Sequence, residues 1–93
     1  MGSIGLSNGF ALRIEPYNHK IRVIVLLNNE EYVCRIALLP KLLDFAAAKE
    51  AHAFKGRLQL YKEAGLINVL AKGEVAGIIE ENTFINYLEG MPK

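Results

Sequence analysis

The stretches FALRIEPY (residues 10–17) and FKGRLQLY (residues 54–61) place Phe, Arg, an aliphatic residue and Tyr at the same relative positions, and the reading of that echo decides the expected fold. Laid without gaps, residues 10–30 over 54–74 pair Phe10/Phe54, Arg13/Arg57, Tyr17/Tyr61, Val25/Val69, Leu26/Leu70 and Glu30/Glu74 as identities. Ile14/Leu58 and Val23/Ile67 are conservative pairs. Omitting Glu31 and Tyr32 then aligns Val33 with Val75, Ile36 with Ile78, Leu42 with Phe84, Leu43 with Ile85 and Phe45 with Tyr87. The gap falls in LLNNEEYV against LAKGEV, where Asn and Gly between apolar runs signal hairpin turns. An even omission also leaves every later strand residue on its original face of the sheet. The competing explanation is that any two strand-rich halves share Val, Ile and Leu; the Arg13/Arg57 and Tyr17/Tyr61 matches argue against it. The chain reads as a tandem duplication.

Each half reads as three strands and a helix. Phe10, Leu12 and Ile14 alternate with Ala11 and Arg13, and Ile21, Val23, Val25 and Leu27 alternate with Arg22, Ile24 and Leu26. The second run is apolar on both sides, which suits a central strand. A third strand covers residues 32–38, and Pro40, acceptable in a first helical turn, opens a helix predicted over about residues 40–51. Leu39, Leu42, Leu43, Ala46 and Ala53 form its apolar stripe, flanked by Phe45, while Ala47, Ala48 and Ala51 leave small residues on the outer face. The second half predicts a strand near residues 55–61, a turn at KEAG (62–65), a hairpin through LAKGEV, and a short helix with Asn82 as N-cap and Gly90 and Pro92 as stop. The expected fold is α+β, β-β-β-α-β-β-β-α, an antiparallel sheet with two helices packed on one side. Residues 1–9 are expected to be a flexible lead, with Met-Gly-Ser partly foreign to the protein. Residues 10–93 are expected to form one domain of two repeats, about 10–53 and 54–93, because segments of ~40 residues rarely bury enough surface to fold alone. In element layout alone the chain resembles the PUR-repeat and Whirly-type single-strand binders; none of their residue signatures maps onto it, so the resemblance implies no function.

Composition narrows the function classes. With 52% hydrophobic and 23% charged residues the chain is too apolar to be disordered, and it has no apolar run long enough to span a membrane. Eleven basic against ten acidic residues give a net charge of +1, which supplies no general attraction to nucleic acid or to anionic membrane. A single cysteine, Cys34, forms no intramolecular disulfide and fits a reducing, cytoplasmic setting. Cys34 sits in an apolar alternation and reads as a buried, inert thiol, so its pairing with His19 or His52 for nucleophilic catalysis is set aside. Ser3, Ser7 and Thr83 suit no serine nucleophile, GSIGLSNG lacks the lysine of a phosphate loop, and the two histidines have no paired acids for a metal. No cofactor, metal or catalytic residue is expected.

One pattern remains. Arg13, Arg22, Arg35 and Arg57 all fall in predicted strands, and Arg13 and Arg57 are each followed four residues later by Tyr17 and Tyr61, a spacing that keeps a pair on one face. A surface of Arg13, Tyr17, Arg57 and Tyr61 would suit single-stranded nucleic acid, which binds through stacking and phosphate contacts. The alternative is that these arginines solvate the outward face, paired with Glu15 or another acid, and the near-zero net charge favours it. The expected function is a non-enzymatic interaction domain that self-associates as a homodimer, with nucleic-acid binding the second choice and no membrane partner.

Overall fold

A computed structural model describes residues 3–90; the roles given above to Met1, Gly2 and Pro92 lie outside them. The elements run β1 (Ile4–Gly5), β2 (Phe10–Tyr17), β3 (Lys20–Leu27), β4 (Glu30–Ala37), α1 (Leu39–Ala47), β5 (Ala51–Ala53), β6 (Leu58–Glu63), β7 (Leu66–Ala71), β8 (Glu74–Glu80) and α2 (Glu81–Glu89). They build two antiparallel sheets of four strands, β1-β2-β3-β4 (sheet A) and β5-β6-β7-β8 (sheet B), each followed by a helix. This corrects the expectation of one sheet built from three-stranded halves.

The two missed strands are β1 and β5. β1 lies in the segment expected to be a loose lead, yet Ile4 pairs with Leu12 and Gly5 with Ala11. Ser7 then ties this segment to the other sheet, its backbone N–H and hydroxyl both donating to the Ala76 carbonyl at 3.1 and 2.9 Å. β5 takes Ala51 and Ala53 away from the predicted helix, which ends at Ala47, and pairs them with Lys62 and Leu60. Two or three residues carry too little periodicity to announce a strand; the neighbour that completes their hydrogen bonds does so.

Four hairpins connect the long strands, and all turn on two residues at positive φ: Asn18–His19, Asn28–Asn29, Ala64–Gly65 and Lys72–Gly73. Two consecutive left-handed residues make the type I′ turn, whose twist matches that of the strands it joins. Asn and Gly accept this conformation readily, so these turns follow from the residues already noted.

The shared core draws on both sheets and both helices. Leu12, Ile14, Val23 and Val25 of sheet A, and Leu60, Ile67 and Val69 of sheet B, are all fully buried. Leu42, Phe45 and Ala46 of α1 and Phe84 and Leu88 of α2 join the same cluster, with the Phe45 and Phe84 rings meeting edge-on at 6.3 Å. The helices therefore pack on each other as well as on the strands.

The register gives the true correspondence of the repeats. Leu12–Val25–Val33 lie side by side across sheet A, as do Leu60–Val69–Gly77 across sheet B. Both third-to-fourth pairings carry an irregularity at the same place, after Val25 and after Val69. The loop bonds agree, since the Asn28 N–H donates to Gly9 O as the Lys72 N–H donates to Arg57 O. The matches Val23/Ile67, Val25/Val69, Leu26/Leu70 and Glu30/Glu74 hold, and Leu42/Phe84 occupy the same helical position counted from the N-caps Leu38 and Glu80.

Phe10/Phe54, Arg13/Arg57 and Tyr17/Tyr61 do not hold. Phe10 corresponds to Leu58, Arg13 to Tyr61 and Gly9 to Arg57, because the β2–β3 hairpin is longer than the β6–β7 hairpin by two residues on each strand. The two-residue omission is also relocated. The β4 and β8 registers match with Glu31 and Tyr32 in place, so Val33 corresponds to Gly77 and Ile36 to Glu80; the omission falls at the strand-to-helix junction, where Ala37 and Leu38 stand between Ile36 and Leu39 while Glu80 leads directly into Glu81. A two-residue turn has no slack to absorb a deletion, whereas a strand-to-helix junction has.

Candidate interaction surfaces

Three cross-strand rows form the outer face of each sheet, the face turned from the core. In sheet A they are Ala11–Leu26–Glu31, Arg13–Ile24–Cys34 and Glu15–Arg22–Ile36. The equivalent rows of sheet B are Gln59–Leu70–Val75, Tyr61–Asn68–Ile78 and Glu63–Leu66–Glu80. Identical positions thus carry different chemistry.

Sheet A is closed by charge over β2, β3 and the start of β4, leaving Ile36, 44% exposed, as its one large open apolar residue among these rows. Arg22 lies across the face, 2.7 Å from Glu31 and 3.4 Å from Glu15, with its Nη2 3.9 Å from Cys34 Sγ. The Cys34 contact and the field of Glu31 raise the arginine pKa above its already high value, so it stays charged. Ile24 and Leu26 are buried although they point away from the core. Sheet B has no such closure, for Leu66 stands where sheet A has Arg22 and Val75 where it has Glu31. Val75 is 60% exposed, Ile78 54% and Leu66 40%. An apolar strip therefore runs over β7 and β8 next to Leu70 and Asn68.

The four residues expected to form one binding face are distributed. Arg13 lies on the outer face of sheet A, half-buried, its Nε buried without a partner. Tyr17, on the same side of β2, is exposed beside the hairpin, since the strand continues through Pro16. Arg57 is exposed in the loop before β6, outside any strand. Tyr61 lies on the outer face of sheet B, stacked on His52 with ring centres 4.2 Å apart and planes 5° from parallel. Its hydroxyl donates to Gln59 Oε1 at 2.8 Å, and His52 Nε2 lies 3.2 Å from the same oxygen. Arg57 and Tyr61 do not share a strand face, and the proposed duplicate of the Arg13–Tyr17 pair is absent.

Cys34 is exposed, not buried, because the alternation that holds it faces outward on sheet A. His19 occupies a turn at φ 66° and His52 is engaged with Tyr61 and Gln59, while the side chain beside the thiol among the described residues is that of Arg22. Among the described residues no cluster of three or more His, Cys, Asp or Glu is placed to hold a metal, and no helix is long and apolar enough to cross a membrane.

Sequence reasoning missed Lys62, placed in a turn by the KEAG reading. It is the inward residue after Leu58 and Leu60 on β6, at the position Ile14 holds in sheet A. The side chain is 2% exposed, and its ammonium donates to Ala46 O and Ala48 O, both at 2.7 Å, and to Glu81 Oε1 at 2.5 Å. Three donors meet three acceptors, so the buried charge is fully satisfied. The alternation LQLYKE was the available signal.

No family model, curated protein or solved structure matches this chain. Its surfaces have to be read from their own chemistry.

Proposed function

We propose that this protein is a non-enzymatic interaction domain that self-associates as a homodimer through the outer face of sheet B, in the cytoplasm. The observation that carries the reading is the contrast between equivalent faces, one crossed by an arginine with two carboxylates and the other offering Leu66, Val75 and Ile78 to water. Large exposed apolar side chains gathered on one sheet face are the usual material of a contact surface. A twofold arrangement lets the same patch cover itself, and a net charge of +1 opposes the approach of a second copy only weakly. The alanine-rich helix face contributes nothing to this reading, since α1 ends at Ala47 and Ala51 belongs to β5. Sedimentation equilibrium over micromolar concentrations tests it. The wild type is expected to dimerise, and Val75→Lys with Ile78→Lys to remain monomeric with an unchanged circular dichroism spectrum. A wild type that stays monomeric at about 100 μM, a free energy of roughly −5.5 kcal/mol, overturns the reading.

Single-stranded nucleic-acid binding keeps one supporting observation, the exposed His52–Tyr61 stack on the same sheet. It predicts that a labelled oligonucleotide binds at low salt and that Tyr61→Ala weakens it. No binding at low ionic strength removes this second reading.

A further inference from the structure

Between the last strand of sheet A and the first strand of sheet B, the surface opens into a groove of about 810 Å³. One wall is the C-terminal part of β4, from Arg35 to Ala37, and the other is the whole of β5. Each of these strands has a neighbour on one side only. The floor is α1, where Leu42 and Phe45 turn into the core, and the apolar surface open to water comes from Ile36 and Leu38, 44% and 43% exposed. A strand edge offers unpaired N–H and C=O groups at peptide spacing, so two such edges beside one apolar floor suit an extended polypeptide better than a compact ligand.

The charges around the groove are unbalanced. Lys20, Arg35 and Lys41 line it against Asp44, and among the described residues none of the four enters an ion pair. Arg35 is held in place: its Nη1 donates to the Lys55 carbonyl at 3.0 Å, and its guanidinium lies 5.6 Å from the Phe54 ring centre. Phe54 itself sits at φ 68°, a conformation that a bulky side chain adopts only at a cost. The segment between the repeats thus fixes a cation at the rim and leaves it without a carboxylate.

We propose that this groove docks an extended segment of a partner protein in which acidic and apolar residues alternate. The partner's main chain pairs with the open edge of β4, its apolar side chains rest on Leu38 and Ile36, and its carboxylates meet Arg35 and Lys41. The proposal is independent of self-association through sheet B, which uses a different face.

Panning a random peptide library displayed on phage against the full chain tests it. The selected sequences are expected to alternate Asp or Glu with Val, Ile or Phe. A synthetic consensus peptide is expected to slow amide exchange at residues 35–37, to bind about tenfold more weakly to Arg35→Gln with Lys41→Gln, and to lose binding when N-methylated at alternate residues. Should the Arg35 variant fail to fold, Lys20→Gln with Lys41→Gln, two exposed positions, serves the same comparison. Absence of enrichment, enrichment of basic sequences, equal affinity for the charge variants or for the N-methylated peptide, or protection at Val75 and Ile78 instead would each overturn it.

Discussion

Replacing Lys62 by Met removes the ammonium while keeping most of the buried stem, and it isolates what the charge does. Ala46 and Ala48 lie at the C-terminal end of α1, which has no basic residue in its last turn, and Glu81 lies in the first turn of α2. Lys62 therefore supplies from β6 the positive charge that the end of α1 favours, and neutralises the acid that the start of α2 favours. In the variant two main-chain carbonyls lose their donor, and one of those bonds is buried. An unpartnered buried carbonyl costs about 1–3 kcal/mol, and loss of one member of a buried ion pair about 3–5 kcal/mol. Glu81 is 34% exposed and can recover water, so the lower end applies and Lys62→Met is expected to cost about 3 kcal/mol. With a urea slope of about 1.5 kcal/mol/M the unfolding midpoint should fall by about 2 M, a large share of the stability of a small domain. Amide exchange in the last turn of α1 should accelerate more than in β3. Glu81→Gln leaves an oxygen acceptor but takes the counter-charge from a buried ammonium, and should cost about 2–3 kcal/mol. A midpoint for Lys62→Met within about 0.3 M of wild type, roughly 0.5 kcal/mol, refutes the reasoning, because an aliphatic residue would then serve here as Ile14 does in sheet A.

Other perturbations separate the roles of the remaining features. Moving the sheet B chemistry onto sheet A with Arg22→Leu and Glu31→Val should change stability by less than about 1 kcal/mol, since exposed ion pairs contribute little, yet raise the sedimentation coefficient at high concentration. Gly77→Ala places a Cβ 2.7 Å from Leu6 Cβ and 3.2 Å from its Cα, so the N-terminal segment must shift; a loss of about 1–3 kcal/mol by urea unfolding, with faster exchange at Ser7, is expected. The exposed Cys34 thiol should react with a maleimide in the native protein as fast as in urea within about an order of magnitude, whereas a buried thiol would wait for unfolding.

The parts of this fold that were legible in the sequence are those whose signal is local. Two-residue hairpins announce themselves through Asn-Asn and Lys-Gly, and the double-sided apolar run of β3 marks a central strand, as its neighbours β2 and β4 confirm. β1 and β5 left no local signal, because Ile4–Gly5 and Ala51–Ala53 become strands only when β2 and β6 are already in place to pair with them. Helix propensity argued for continuing α1 through its alanines. The helix ends at Ala47 instead, where the Ala46 and Ala48 carbonyls accept from Lys62 and residues 51–53 go on to join sheet B. Nothing in the residues around Ala48 carries that instruction.

The matching of the two halves shows why the candidate site was misplaced. Arg13/Arg57 and Tyr17/Tyr61 are chemically distinctive matches, but likeness between repeats depends on constraint, and constraint lies on the inward side. Val23/Ile67, Val25/Val69, Leu12/Leu60 and Phe10/Leu58 all remain apolar, since a polar group there must find partners inside the core. Lys62 against Ile14 is the exception, and its three acceptors show what that exception requires. On the outer faces Arg13 stands against Tyr61, Glu31 against Val75 and Cys34 against Ile78, because water accepts nearly any side chain. An outward identity is therefore weak evidence for register, and the buried pair Val25/Val69 was the stronger guide. By the same reasoning, the bare apolar strip of sheet B is not something the fold demands, since sheet A builds the same backbone beneath a charged surface.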